Sequence, residues 1–347
     1  MESEPTASGR RWWIWAVLVA AVAGGGLLLL RDAGTSRAPT DALPPPQFVE
    51  VTANTGIQHV YDGDFEFFVG GGVAVFDCDD DGRQDLYLAG GSNPAALYRN
   101  DSVTGGELAF SLINDETTDL GSVLGAYPVD IDSDDNIDLI VLRLGENVAL
   151  RGLGQCQFER ANETWGIEGG NEWTAAFSAK WEPGNTLPTL AFGNYLNWPV
   201  NREEVASCAD NTLFRQAGDG YGQAIPLSPG WCTLSILFTD WDRSGRSDLR
   251  IANDRHYYRD GSEQLWRIAP GEDARLYTSA DGWDDLQIWG MGIASQDVTG
   301  DGIPEFFITS QGDNKLQTLE VGVEPVSYTH LTLPTKVLVC GWRGGGG

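Results

Sequence analysis

Basic residues are scarce in this 347-residue chain: 22 Lys plus Arg face 50 Asp plus Glu, a formal net charge of −28. A surface of that sign repels phosphate backbones, which excludes nucleic acid as a partner. Histidine is scarcer still, with only His59, His256 and His330. There is no H-E-x-x-H metalloprotease pair, no G-x-S-x-G nucleophile elbow and no phosphate-binding glycine loop, so the common hydrolytic and nucleotide-dependent chemistries have no visible foothold. His59, in "GIQHVYDGD", reads as a hydrogen-bonded structural histidine. Outside residues 12–30, no window sustains apolar residues at i, i+3, i+4 and i+7, which excludes a helical domain. Disorder is excluded too, because 41% hydrophobic residues, with 13 Trp and 13 Phe, supply a sizeable core.

Residues 12–30, "WWIWAVLVAAVAGGGLLLL", form an uncharged apolar run between Arg11 and Arg31. As a helix, a run of this length just crosses a bilayer core, so it is read as an uncleaved transmembrane anchor after a short N-terminal segment, 1–11. A cleaved signal sequence is the alternative, and "RR" is a weak twin-arginine signal. Residues 31–47 make a Pro-rich, semi-rigid linker. The final stretch, 326–347, breaks the composition and ends in four glycines; it resembles translated sequencing adapter and is read as a non-native tail, with the natural C-terminus missing.

Between these ends the carboxylates gather. "DCDDDGRQDL" starts at Asp77, "DIDSDDNIDL" at Asp130, "DWDRSGRSDL" at Asp240 and "DVTGDGIPEF" at Asp297, and the interval from the second start to the third is about twice each of the others. The double gap predicts a degenerate copy midway, and "WEPGNTLPTL" from Trp181 fits it, giving five repeats. Each loop follows a glycine-bearing apolar strand and precedes a strand such as "DLYLAG" or "DLIVLR". An Asn-, Gln- or Ala-led strand comes next: "AALYRN", "NVALRG", "NTLFRQ", "EQLWRI" or "NKLQTL". Three to four short strands at this period predict propeller blades in an all-β fold. Gly71, Gly72, Gly125 and Gly292 fit either crowded inner strands or bulges.

In the first loop Asp77, Asp79, Asp81 and Asp85 stand at positions 1, 3, 5 and 9, with Gly82 at position 6. Alternate side chains converge, the glycine allows the turn back, and the carbonyl of Arg83 at position 7 adds an oxygen. Hard oxygen ligands at that spacing point to Ca²⁺. An EF-hand would need Glu at position 12, where Leu88 stands. Asp130, Asp132, Asp134 and Asp138, with Asn136 at position 7, keep every acid, and Asp135 takes the glycine's place. Asp240, Asp242 and Asp248, with Ser244 and Arg246, keep three. Asp297, Thr299, Asp301 and Glu305, with Ile303, keep two strong ligands and a longer closing acid. Two to four sites are expected, the first two the tightest, while the Trp181 turn holds by packing.

These loops and their glycine-led approach resemble FG-GAP or VCBS repeats of integrin α-subunit propellers and bacterial exported proteins. The opening "FVEVTANTGIQHV", the block "GGGVAVFDCDDDGRQDLYLAG" and "LYRN" resemble the cartilage acidic protein family more closely. The resemblance implies a calcium-binding propeller of seven blades over residues 48–325, of which five are visible, and it carries calcium positions but no defined activity.

Cys208 and Cys232 bracket a long inter-strand insertion and are expected to pair in an exported protein. Cys78 lies inside the first acidic loop at a non-ligand position and Cys156 has no evident partner, so the sequence leaves open whether the two are free; Cys340 lies in the tail. "NDRHYYRDG", residues 253–261, reads as a solvated loop or a binding rim. Expected overall is a membrane-anchored calcium-binding module outside the cytoplasm, periplasmic or at the cell surface, and secreted if the anchor is cleaved. Its expected partner is a protein or glycan. The alternative is a polysaccharide lyase or hydrolase on the same scaffold, for which no catalytic residues are visible.

Overall fold

The computed structural model describes residues 46–200, 207–254 and 261–319, and the backbone of 328–332. The expected anchor, nearly all of the linker, His256 and Cys340 lie outside the described residues. Among the described residues no helix is long and apolar enough to cross a membrane. Met1–Glu50 separates as one unit, and Val51–Gly347 forms another that carries all the strands.

Four-stranded antiparallel meanders succeed one another along the second unit. The first comprises β1 (Val73–Phe76), β2 (Asp85–Leu88), β3 (Ala96–Asn100) and β4 (Phe110–Ile113), and the second β5 (Val123–Val129), β6 (Asp138–Gly145), β7 (Val148–Gly152) and β8 (Phe158–Arg160). In the third, β9 (Glu172–Lys180), β10 (Thr189–Asn197) and β11 (Asn211–Phe214) are followed by a small hairpin, β12 (Gln216–Ala217) and β13 (Gly220–Tyr221), before the outer strand β14 (Ile225–Leu227). The fourth has β15 (Thr233–Thr239), β16 (Asp248–Asn253), β17 (Gln264–Arg267) and β18 (Arg275–Leu276). The fifth has β19 (Gly290–Gln296), β20 (Glu305–Ser310), β21 (Lys315–Leu319) and β22 (Tyr328–Thr332). Five units therefore appear where five repeats were counted, the degenerate copy included. Strand β22 falls inside the segment expected to be a non-native tail, and its backbone pairs with β21.

The first strands stand beside one another in order, β1 by β5, β5 by β9, β9 by β15 and β15 by β19. Because successive side chains on a strand point to opposite faces, each sheet offers one apolar face to the unit before it and one to the unit after. Strand β6 shows this directly. Leu139 and Val141 join Phe76, Tyr87 and Leu97 of the first unit, whereas Ile140 and Leu142 join Phe177, Leu190 and Phe192 of the third. The same division recurs between units three and four around Leu213, Leu249 and Trp266, and between four and five around Trp241, Leu265 and Phe306. The core is thus divided among the seams between sheets.

Two disulfides sit at opposite ends of these strands. Cys208–Cys232 forms as expected. Cys78–Cys156 forms as well, which the sequence left open: the Cys156 amide donates to the Cys78 carbonyl across the seam between units one and two, so two cysteines 78 residues apart become neighbours. The glycines divide between the two roles. A Cβ on Gly72 would lie 3.3 Å from the Gly125 Cα, a close approach of neighbouring first strands, while Gly125 and Gly292 sit at register shifts. His59 is structural, with Nε2 2.8 Å from the Ala89 carbonyl.

Candidate metal centres at the acidic loops

Every acidic stretch is the turn between the first and second strands of its unit, so all of them lie at one end of the sheets. Their backbones share a design. The first acid caps the turn: Asp77 accepts from Asp81 and Gly82, Asp130 from Asp134 and Asp135, Asp240 from Gly245, and Asp297 from Gly300 and Gly302. Position 6 is left-handed in each, at φ 81° for Gly82, 68° for Asp135, 82° for Gly245 and 91° for Gly302, so aspartate does tolerate the glycine's conformation. Position 4 is left-handed as well, in Asp80, Ser133, Arg243 and Gly300, which only the last loop signals by a glycine.

The closing acid joins the loop to the third strand. Asp85 accepts from the Cys78 amide at 2.8 Å and the Asn100 amide at 2.7 Å; Asp138 accepts from Ile131 at 2.7 Å and Gly152 at 2.9 Å. Asp248 accepts from Ile268, and Glu305 from Val298 and Thr299. Buried carboxylates need such partners. Even so, burial pushes Asp85 above the usual carboxylate range, with Asp79 and Asp77 adding to the effect, and burial pushes Asp138 up to about 7.

Two loops bring three carboxylates together. Asp77, Asp79 and Asp85, and likewise Asp130, Asp132 and Asp138, each offer oxygens within 4.8 Å of one another. Asp79 Oδ1 and Asp132 Oδ1 are buried without a hydrogen-bond partner, as is Asp240 Oδ1 of the fourth unit. Converging carboxylates with unpaired oxygens are the donor set of a hard divalent cation, which would also hold Asp85 and Asp138 ionised. The first two loops therefore fit Ca²⁺. The position-5 acids stand outside both triads. Asp81 accepts from the Arg83 amide and Asp134 from the Asn136 amide, each at 2.9 Å, as Asp301 does from Ile303. Among the described residues, neither Asp240, Asp242 and Asp248 nor Asp297, Asp301 and Glu305 close to the same spacing.

Internal cations account for part of that grading. Arg83 pairs with Asp81. Arg151 of β7 reaches Asp132 and Asp134, each at 2.7 Å. In the fourth unit, Arg246 turns its guanidinium onto Asp248 at 3.0 Å, where the sequence suggested only its carbonyl. Burial raises Asp248, but the bonds from Arg246, Trp241 and Ile268 outweigh it and hold this acid below its ordinary value. The Trp181 turn does more than pack, which corrects the expectation. Buried Glu182 accepts from Thr189 Oγ1 at 2.9 Å and lies 3.4 Å from Arg215 and 4.0 Å from Lys180. Arg151, Lys180 and Arg215 escaped sequence reasoning; the one available signal was the Arg recurring in "LYRN", "ALRG", "LFRQ" and "LWRI".

At the other end of the strands, Gln287, Ile288, Trp289, Ser310, Gly312, Asp313 and Lys315 line a cavity of about 470 Å³. A Cβ on Gly312 would lie 3.8 Å from the Trp289 indole, an ordinary contact.

No family model matches the sequence, and no curated protein matches it. Among solved structures, an Agrocybe aegerita lectin described as recognising non-reducing terminal N-acetylglucosamine is 14% identical at a TM-score of 0.41, over 75% of this chain. This chain spans 65% of that lectin chain. BBS1N in complex with ARL6DN, in lead- and mercury-soaked crystals, is 11% identical at a TM-score of 0.37, over 80% of this chain and 84% and 83% of those chains. At these values neither likeness bears on what this chain binds.

Proposed function

We propose that this chain is a calcium-stabilised, propeller-type binding module of the FG-GAP or VCBS kind, carried outside the cytoplasm on an N-terminal membrane anchor, that recognises a protein or glycan. The observation that carries the reading is the pair of carboxylate triads with buried, unpaired oxygens at the first two loops. Asp77, Asp79 and Asp85 would hold one ion and Asp130, Asp132 and Asp138 a second. The ions' part is structural: they offset carboxylate repulsion at turns that sit beside the seams, and so stiffen neighbouring sheets against one another. Extracellular calcium suits this role, since sites of modest affinity are filled there.

The recognition surface we favour is the cavity lined by Gln287, Ser310, Asp313 and Lys315, at the end of the strands away from the acidic loops. Its Gln287, Ser310, Asp313 and Lys315 side chains offer hydrogen-bonding groups suited to the hydroxyls of a sugar. Nothing in the fold or the comparisons points to an enzyme. The deciding experiment is calorimetric titration of CaCl₂ into the full chain, with thermal unfolding followed with and without chelator. One or more sites and a melting point lowered by chelation are expected. No heat and no shift would end the calcium reading, and a glycan array left unchanged by Asp313→Ala would end the sugar assignment.

A further inference from the structure

The first and second loops carry equivalent carboxylate triads but different cationic neighbours. Asn100 donates its amide to Asp85, and Gly152 donates its amide to Asp138, so the arginine just before each, Arg99 and Arg151, holds the same place on the third strand. Their side chains part company. Arg151 places Nε 2.7 Å from Asp132 Oδ2 and an Nη 2.7 Å from Asp134 Oδ2, bridging two acids of its own loop. Arg99 instead donates to Asp101 Oδ1 at 2.9 Å, and Ser111 holds the other oxygen of that aspartate. Two residues beyond Arg151 stands Leu153, which offers no such anion. A guanidinium settles on the nearest fixed carboxylates, so Asp101 is what keeps Arg99 off the first loop.

Two other units mark the limits of the series. In the third, Arg215 occupies this place and lies 3.4 Å from Glu182, in a loop that has lost its metal pattern. In the fifth, Thr318 holds it and donates to Glu305 at 3.2 Å, adding no charge. A bridging guanidinium offsets carboxylate repulsion as a divalent cation would, and it also occupies ligand oxygens that an arriving ion must recover.

Resting on the calcium reading above, we propose that the third-strand arginine is an internal counter-ion that sets the relative calcium affinities of the first two loops; in the fourth unit the equivalent Arg267 turns to Glu272 at 2.7 Å and Arg246 takes the closing acid instead. Arg151 holds the second loop against calcium, and Asp101 keeps the first loop open by drawing Arg99 away. The order of affinities is then set by strand neighbours, and the second loop is weaker than its intact set of acids implies.

The test is calorimetric CaCl₂ titration of the full chain and of Arg151→Gln, Arg151→Lys, Asp101→Asn and Asp79→Asn, with melting curves in calcium and in chelator. Two exchanged ion pairs at a partly exposed site correspond to roughly tenfold in affinity. Arg151→Gln should therefore bind calcium at the second loop about tenfold more tightly, Arg151→Lys should fall between it and the unaltered chain, and Asp101→Asn should lose first-loop affinity several-fold. If Arg151→Gln melts early in chelator, calcium should restore it; failure to do so counts against the proposal. Unchanged second-loop binding in Arg151→Gln, with first-loop binding lost in Asp79→Asn, would overturn the counter-ion role and leave the calcium reading standing. No calcium heat in any of the five proteins would remove both.

Discussion

The turn at residues 77–85 and the turn at residues 181–189 close the same pair of strands in their units, and they balance charge in opposite ways. The first gathers Asp77, Asp79 and Asp85 and leaves an aspartate oxygen buried and unpaired. The second keeps a single buried carboxylate, Glu182, and surrounds it with Thr189, Arg215 and Lys180. Lys180 goes further and donates to the carbonyls of Ser247 and Ile268 in the next unit. On the calcium reading proposed above, one turn keeps its charge for a cation from solution, and the other obtains cations from its own chain. A repeat can therefore lose its ligands without losing its shape, provided that a neighbouring strand supplies the missing charge.

The contrast breaks most severely at the disulfide beside the first loop. Cys78–Cys156 closes a loop of 78 residues, and replacing both cysteines by serine is expected to cost about 4 kcal/mol in chemical unfolding. The Trp181 turn has no such staple, so reductant should shift first-loop calcium affinity and leave the Glu182 cluster alone. Next in size is Lys180→Met. It removes one cation from a buried carboxylate that keeps Arg215, and about 3 kcal/mol of stability should be lost with no change in calcium heat.

The same lysine gives a pH test. Burial lowers its pKa to about 8, against 10.5 when exposed, with Glu182 partly opposing the shift. Between those values the unfolded chain holds more protons, so stability rises with pH across that window. Lys180→Met should flatten the rise. A flat profile in the unaltered chain would show the site to be wetter than its burial implies.

Asp79→Asn comes third. At calcium a hundredfold above its dissociation constant, one site contributes about 2.7 kcal/mol, and that increment should vanish from melting curves while the chelated protein melts much as before. The smallest effect at acid pH is Glu263→Gln, in the seam between units four and five. Burial pushes the Glu263 pKa up to about 8, with its Oε1 accepting from the Asn253 amide. A raised carboxyl pKa contributes stability that is complete below pH 4.5 and is lost as pH rises through 8. The glutamine form, which does not titrate, should match the unaltered chain below pH 4.5 and outlast it increasingly between pH 4.5 and 8.

Much of the fold was legible because it rests on local rules. Period-two apolar strands, a regular spacing of the acidic turns and turn chemistry are carried within each copy, and five four-stranded sets follow five repeats, the second and third joined in one sheet through β6 and β9, with the degenerate one at its predicted place. The positions of Asp77 and Asp79 were legible for the same reason, since residues two apart in a tight turn converge whatever surrounds them. Cys208–Cys232 was legible because the two cysteines bracket one insertion. Cys78–Cys156 was not, because its ends meet only when units one and two pack.

What the sequence determined by itself is the class of the molecule: strands in repeating sets, with an acidic turn of alternating carboxylates at one end of four of the five. What tertiary structure decided is how those charges are balanced. Arg99 and Arg151 hold the same place in their repeats, yet one turns to Asp101 and the other to Asp132 and Asp134. Spacing along a chain specifies which side chains share a turn. The direction of a long cationic side chain depends on which anions the adjoining strands bring within its reach, and those strands meet only in the folded sheet.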